Sequence, residues 1–203
     1  YLKDIIYPHN LRNNKDVFDL LYFVISNIGR PFSYTNIAKT LGIAVDTVKE
    51  YLQYAEESYI VSSINKYDAS LRKQIANPKK IYCIDTGLVN SISFRFSENK
   101  GWLFENLVYM VLLQKDCELY YNKERYECDF LVKEKMKITE AIQVTVSLDD
   151  EKTRKRETKG LLEAMDRYKL KEGLILTENE SEEIKVEGKK IVVKPIYEWI
   201  IRS

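Results

Sequence analysis

A short helical segment and a longer one, separated by Gly42, constrain the fold of the N-terminal part more than any other feature of the sequence. Residues 33–41 begin with the capping candidates Ser33 and Thr35 and end at this glycine. Residues 44–58 follow as a longer helix. Its apolar side chains recur at helical spacing and are Val45, Val48, Leu52 and Ala55. A short helix, a tight turn with glycine and a longer helix are typical of a helix-turn-helix.

An amphipathic helix precedes this pattern, and two strands follow it. Asp16 is suited to cap that helix and Gly29 to end it. Residues 60–65 alternate as a strand, residues 66–79 are a connection, and residues 80–84 are a second strand. Two strands directly after a helix-turn-helix predict the wing of a winged helix.

The predicted wing is the locally basic stretch of the N-terminal part. Its cations are Lys66, Arg72, Lys73, Lys79 and Lys80. On the longer helix, Lys49 and Gln53 are the side chains suited to base edges, because that helix is acidic overall and would repel phosphates. We therefore expect DNA contact mainly through the wing and its phosphate partners. The alternative is that this domain docks a protein.

The pattern changes near residue 92, which predicts a winged-helix domain over residues 1–92 and a second domain over residues 93–203. The second part begins with an amphipathic helix, followed by three strands, a charged helix, two strands and an end helix. These elements are predicted at 102–113, 119–122, 126–133, 140–147, 150–167, 173–177, 190–194 and 196–201. This order indicates an α/β layer with a mixed sheet, and an α+β class for the whole chain.

Polar side chains of the second part could converge at one edge of this sheet. Glu105 lies on the first helix, Asp129 in the second strand and Gln143 in the third. Glu127 and Asp129 are two residues apart and share a strand face. Phosphodiester hydrolysis with Mg²⁺ or Mn²⁺ needs oxygen ligands from several elements. We therefore predict Glu105, Asp129 and Gln143 as catalytic candidates, and Asp129, Gln143 and Glu127 as metal ligands.

These residues resemble the frame of the PD-(D/E)xK nuclease family, in which an acid on the first helix precedes Asp on the second strand and (Glu or Gln)-x-Lys on the third. The strings GWLFENLVYMVLL, ERYECDFLV and AIQVTVSLDDEKTRKRETKGLLEA further resemble the C-terminal domain of uncharacterised archaeal and bacterial AAA+ ATPases. KKIYCIDTGLVN and LKDIIYPHNLRN resemble the junctions of that family, so the likeness covers nearly the whole chain. It implies a winged helix followed by a restriction-endonuclease-like α-β-β-β-α-β domain, with the ATPase preceding both.

Two positions depart from this nuclease pattern. Gln143 brings no charge, and Thr145 replaces the lysine that would stabilise the transition state. A lysine of the charged helix would have to substitute, with Lys152, Lys155 and Lys159 as the candidates. The cations of that helix alternate with acids, which indicates a solvated face. We expect an impaired or inactive nuclease, and the alternative is a non-catalytic module that couples the ATPase to a protein partner or to its own oligomer.

Residue counts exclude several other functions. With His9 as the single histidine, Ser-His-Asp, Cys-His and most zinc hydrolase sites are excluded unless His9 takes part. Cys83, Cys117 and Cys128 lack paired spacing, which predicts reduced thiols in the cytoplasm. No apolar run reaches the ~20 residues of a membrane span. The start at Tyr1 predicts a cut inside a longer protein, and without a P-loop motif ATP would bind only to a missing N-terminal domain.

Overall fold

A computed structural model describes residues 14–85, 87–89 and 100–202 of the chain. These residues form a mixed structure of helices and β-sheet, so the predicted α+β class is confirmed at that level. The predicted domain boundary between residues 92 and 93 lies outside the described residues, and so does His9.

The chain forms two compact units, and each unit combines two separate stretches of the sequence. The first lies within Tyr1–Ile64 and Ala76–Glu98, and the second within Asn65–Ile75 and Asn99–Ser203. A short piece of the sequence predicted as the wing connection therefore belongs to the second unit.

Three helices of the first unit form where the sequence predicts them. They are α1 (Asn14–Ile25), α2 (Tyr34–Leu41) and α3 (Val45–Glu57). The hydroxyl of Ser33 caps α2 by accepting the backbone N–H of Asn36 at 3.3 Å. Gly42 ends α2 with a φ of 70°, a left-handed conformation that glycine adopts without strain. The capping residue and the turn glycine are confirmed.

Strands of the first unit lie in the order β1 (Pro31–Phe32), β3 (Lys79–Cys83) and β2 (Val61–Lys66). β1 runs antiparallel to β3. The backbone N–H of Gly29 donates to the carbonyl of Ile81 at 3.0 Å and ties the end of the first helical segment to β3. The core of this unit consists of apolar side chains from the helices and strands, including Val17, Leu20, Val48, Leu52, Ile60, Ile64 and Tyr82.

The connection predicted over residues 66–79 contains a short helix. The carboxylate of Asp68 accepts the backbone N–H of Ser70 at 2.8 Å, and a short helix, α4 (Leu71–Ala76), follows. The ring of Tyr67 lies edge-on to Tyr120 and Tyr168 in the second unit, with centroids 5.1 and 5.4 Å away. The sequence shows no sign of this helix, because six residues are too few to display helical periodicity.

The second unit holds a six-stranded mixed sheet with helices on it. The strand order is β4-β5-β6-β7-β9-β8, with β6-β7 and β7-β9 parallel and the other pairs antiparallel. Asn65 and Lys66 of β2 pair parallel with β4. In chain order the elements are α5 (Gly101–Leu112), β4 (Glu118–Lys123), β5 (Glu127–Glu134), β6 (Lys137–Val144), α6 (Glu151–Tyr168), β7 (Glu172–Thr177), β8 (Glu182–Val186), β9 (Lys189–Pro195) and α7 (Ile196–Arg202).

The edge strand β8 is absent from the sequence prediction. It is joined to β9 by Glu187 and Gly188, whose φ values of 51° and 73° match a type I′ hairpin turn. Its charged side chains alternate with Ile184 and Val186, which are only half-buried. A sequence reading overlooks such a strand, because its hydrophobic signal is weak at the edge of a sheet.

Helix α6 lies directly on β5, and a glycine makes the close approach possible. The carboxylate of Asp150 caps α6 by accepting the N–H of Thr153 at 2.7 Å. A Cβ added at Gly160 would lie 1.9 Å from the backbone oxygen of Glu127 on β5. The predicted apolar side of this helix is buried, with Leu161, Ala164 and Met165 fully inside.

Among the residues that the structure describes, no helix combines the length and apolar character that crossing a membrane requires. Cys83 and Cys128 are buried thiols, and Cys117 is a half-buried thiol.

Replacing Gly160 with Ala should destabilise the protein, since the new methyl group would overlap the Glu127 carbonyl. Overpacking of this kind costs about 1–3 kcal/mol, even though Ala favours helices over Gly by about 1 kcal/mol. Urea unfolding followed by circular dichroism measures the loss. Lys155→Ala, on the exposed side of the same helix, is the control and should change stability by less than about 0.5 kcal/mol. Equal stability of Gly160→Ala and wild type would contradict the close approach.

Candidate functional site

The candidate site lies where β5 and β6 pair in the second unit. The antiparallel register sets Phe130 opposite Ile142, so that Asp129 faces Gln143 across the two strands. The backbone N–H of Asp129 donates to Oε1 of Gln143 at 3.2 Å, and the N–H of Val144 donates to Oδ2 of Asp129 at 3.0 Å. Both side chains are buried. The structure thus brings together two of the residues that the sequence selects.

Helix α6 adds two residues that the sequence analysis missed. Nε2 of Gln143 donates to Oε2 of Glu157 at 2.5 Å. The guanidinium of Arg156 donates from Nε to Oε1 of Glu157 at 2.9 Å, and its Nη2 contacts the same oxygen. Asp129, Gln143, Glu157 and Arg156 therefore form one connected set, called the carboxylate network below.

Burial differs sharply along this network. Glu157 is only 5% exposed, whereas the side chain of Arg156 is 69% exposed. A buried carboxylate is stable only when it is paired or protonated. The network therefore connects a buried acid to a cation that lies at the surface.

The surroundings of Glu157 disfavour the charged form of its carboxyl relative to a glutamate in water. Burial raises the pKa of the Glu157 carboxyl above its ordinary value, the charge of Asp129 raises it further, and Arg156 opposes both effects. The hydrogen bond to Glu157 is the largest cause that raises the pKa of Arg156, and Asp129 adds to it. The guanidinium thus stays charged while the buried carboxyl binds its proton more tightly than a free glutamate does.

The predicted metal ligands do not fit a divalent cation as they are arranged. Mg²⁺ needs several oxygen ligands around one point. Oxygens of Asp129 and Gln143 already accept protein N–H groups, and Glu127 pairs with Lys123 at 2.9 Å. In residues 14–85, 87–89 and 100–202, no group of three or more His, Cys, Asp or Glu side chains is placed to hold a metal ion.

Thr145 stands where the resemblance to the nuclease pattern implies a lysine, and its side chain is hydrogen-bonded within the protein. Thr145 is buried, and its hydroxyl donates to the carbonyl of Ser147 at 3.3 Å. The candidate Lys159 lies at the surface of α6, where its ammonium contacts the hydroxyl of Tyr126 at 3.5 Å. Thr145 therefore adds no charge to the carboxylate network.

Glu105 is half-buried on α5, on a helix that packs on the sheet through Tyr109. The Tyr109 ring stacks on Phe130 with centroids 6.5 Å apart. Phe130 and Asp129 are neighbours on one strand and project to opposite faces. Helix α5 therefore covers the sheet face opposite to that on which α6 supplies Glu157.

The two predicted base contacts of α3 are exposed but engaged with acids of the same helix. Lys49 pairs with Asp46 at 2.9 Å, and Nε2 of Gln53 donates to Glu57 at 2.8 Å. Such pairs are weak and open readily at a surface. Their positions leave α3 with an acidic exposed side.

The predicted wing cations are dispersed over different environments. Lys66 is half-buried and pairs with Glu124 at 3.1 Å, while Lys79 lies over the ring of Tyr34 at 5.7 Å. Arg72 and Lys73 are exposed on α4. Lys80 is fully buried, so its ammonium is withdrawn from the surface on which a DNA contact was expected.

A signal for Glu157 was present in the sequence. Glu157 lies four residues before Leu161 and seven before Ala164, which places a carboxylate on the apolar side of the charged helix. A charged residue on a buried helix face needs a partner. The partner could not be named from the sequence, because Gln143 is 14 residues away on a strand.

Comparisons with known proteins give relatives without an assigned activity. Residues 1–99 match a family described as a domain of unknown function, DUF8612. The uncharacterized protein MJ1544 of Methanocaldococcus jannaschii is 30% identical over 218 aligned positions, which cover 98% of this chain and 47% of that protein. The uncharacterized protein MJ1637 of the same organism is 28% identical over 180 positions, which cover 84% of this chain and 36% of that protein.

The chain thus spans about half or less of the length of these curated relatives. No solved structure matches the chain at a significant level.

Glu157→Gln should remove a pH-dependent loss of stability. The folded pKa of Glu157 lies above its ordinary value of 4.5, so protonation favours the folded state. In wild type this contribution is fully present below about pH 4.5 and is lost as the pH rises through the folded pKa. Stability of the Gln variant relative to wild type should therefore increase between pH 4 and pH 7, as measured by urea unfolding at a series of pH values.

Glu151→Gln is the matched control, because Glu151 is exposed on the same helix with a side chain 77% exposed. Its difference from wild type should stay nearly constant over this pH range. A flat difference for Glu157→Gln as well would contradict the raised pKa.

Proposed function

We propose that this chain is a DNA-associated region that binds duplex DNA without cleaving it, within a longer ATPase of the AAA+ type. On this proposal the first unit is a winged helix-turn-helix and the second is a restriction-endonuclease-like domain. The single observation that carries the absence of cleavage is the carboxylate network, in which Arg156 meets the buried acid.

The network supports this proposal through its charges. Metal-dependent phosphodiester cleavage needs carboxylates that are ionised and open to a cation. Glu157 instead accepts from Gln143 and Arg156, and its pKa is raised. The guanidinium of Arg156 supplies the positive charge beside the acids. We therefore derive no catalytic step through a metal ion at this site.

Association with DNA is supported by the arrangement of the first unit and by exposed cations. Helices α2 and α3 flank the turn at Gly42, and strands β2 and β3 follow them, which is the order of a winged helix. Nucleotide hydrolysis on this proposal belongs to a part of the longer protein beyond these 203 residues. The greater lengths of the curated relatives are compatible with such a part.

The chain should bind duplex DNA and leave it intact. We expect no cleavage of supercoiled plasmid or labelled linear duplex in Mg²⁺ or Mn²⁺, and the same result for Asp129→Ala. Fluorescence anisotropy with a labelled duplex should show binding that persists in EDTA and weakens steeply as salt rises, since phosphate contacts release counterions.

Cleavage by wild type that disappears in Asp129→Ala would overturn the proposal of an inactive site. Absence of binding at low salt, with the fold verified by circular dichroism, would overturn the association with DNA. The two halves of the proposal are thus tested separately.

A protein-docking role is the second candidate, and exposed apolar side chains on α4 favour it. Leu71 and Ile75 are 69% and 67% exposed. They are four residues apart and so lie on one side of the helix. Exposed apolar side chains that form a patch commonly mark an interaction surface. The partner on this candidate is a second copy of the chain, which would couple protomers of an oligomeric ATPase.

If α4 mediates self-association, replacing Leu71 and Ile75 together with Ser should weaken it by at least about tenfold, because two apolar anchors are lost. Sedimentation equilibrium over a range of concentrations measures the change. Met136→Ser is the control, because Met136 is 85% exposed on a different turn. A wild-type chain that stays monomeric at every concentration would rule this candidate out.

A further inference from the structure

Helix α6 carries a one-sided row of cations that its sequence does not reveal. Lys152, Arg156 and Lys159 are exposed and are spaced by four and three residues, so they lie on one face of the helix. Arg154 lies on another side, where its Nη1 contacts Glu182 on β8 at 2.6 Å. The fold thus directs Arg154 away from the row.

The acids that alternate with these cations are engaged within the protein. Glu157 is buried in the carboxylate network, and Glu151 pairs with Lys155 at 2.6 Å. The carboxylate of Glu163 accepts the backbone N–H groups of Arg125 and Tyr126, at 3.2 and 3.3 Å. The helix contains six Lys or Arg residues and four Asp or Glu residues, and the burial of Glu157 makes its exposed side more basic than this composition.

The hairpin between β4 and β5 extends this row. The ammonium of Lys159 lies 5.4 Å from the centre of the Tyr126 ring, and the guanidinium of Arg125 lies 5.8 Å from it. Cation–π contacts of this kind hold both charges beside one ring. Tyr126 thus fixes Arg125 next to the end of the row at Lys159.

We propose that Arg125, Lys152, Arg156 and Lys159 form a binding surface for the phosphate backbone of duplex DNA. This surface is called the cation face. The inference rests on the proposed association with DNA and names the place where the DNA lies. It moves the principal contact from the wing to α6 of the second unit.

The dimensions of the row suit a polyanion. Seven residues separate Lys152 from Lys159, which is about 10 Å along a helix axis. B-DNA presents one charge per about 1.7 Å of its axis, so about six phosphate charges lie within that distance. Several cations of the face can therefore meet phosphates at the same time.

An acidic protein is a less suitable occupant. Protein interfaces depend on apolar and aromatic anchors at their centre. Among the described residues, the large apolar side chains that are strongly exposed all lie outside α6 and outside the hairpin at residues 123–127. A cation-rich surface without such anchors matches a phosphate backbone.

The test compares two triple variants of the whole chain that lose the same charge. The first carries Arg125→Ala, Lys152→Ala and Lys159→Ala, and it leaves Arg156 in place because that residue pairs with Glu157. The second replaces three exposed lysines outside α6, Lys137, Lys171 and Lys185, with Ala. Duplex affinity is measured by fluorescence anisotropy at several salt concentrations.

Loss of three phosphate contacts should make the fall of log affinity with log salt less steep, by about 2.7 in the slope. It should also lower the affinity near 0.1 M salt roughly 100-fold. The second variant should keep the wild-type slope. If the first triple variant unfolds, Lys152→Ala and Lys159→Ala are measured singly. Each should make the salt dependence less steep, by about 1 in the slope.

Equal effects of the two triple variants would overturn the cation face while leaving DNA association intact. Absence of duplex binding by wild type would overturn both. Competition with poly-glutamate tests whether the cation face binds an acidic polypeptide instead. The proposal fails if poly-glutamate displaces the duplex at matched charge concentration and the first variant no longer binds poly-glutamate.

Discussion

The approach of helix α6 to strand β5 at Gly160 is the contact on which the second unit depends. Because glycine has no Cβ, the helix comes to rest on the backbone oxygen of Glu127. This short distance between helix and strand brings Glu157, one helical turn before Gly160, within hydrogen-bonding distance of Gln143. The same placement turns the opposite side of the helix to solvent. One close backbone contact therefore sets both the buried network and the exposed cations.

Within the network, Gln143 links the sheet to the helix because an amide both accepts and donates. Its oxygen accepts from the backbone of Asp129, and its nitrogen donates to Glu157. A carboxylate in its place could not donate to Glu157 and would add a second charge beside Asp129. Glutamine at this position therefore stabilises a connected interior with little charge. This arrangement supports the proposal that DNA contacts the surface of the domain and not its buried acids.

Local chemistry was sufficient to predict much of the fold. Ser33 and Gly42 delimit α2 through capping and a left-handed turn, which involve only neighbouring residues. Strands and helices of the second unit were predicted from periodicity, while α4 and β8 were missed because a six-residue helix and a charged edge strand display little of it. Asp129 and Gln143 were both selected from the sequence as site residues, and the antiparallel pairing of β5 and β6 brings them together.

The sequence by itself determined the order of the elements apart from β1, α4 and β8, the cap at Ser33 and the two strand residues at the centre of the site, since these depend on short-range spacing. Only the tertiary structure decided that Glu157 and Arg156 complete that site, that Lys80 is buried, and that Glu157 of α6 is inside while Lys152, Arg156 and Lys159 are exposed. The physical reason is that burial and ion pairing depend on the partners that the fold supplies, and those partners are distant along the chain.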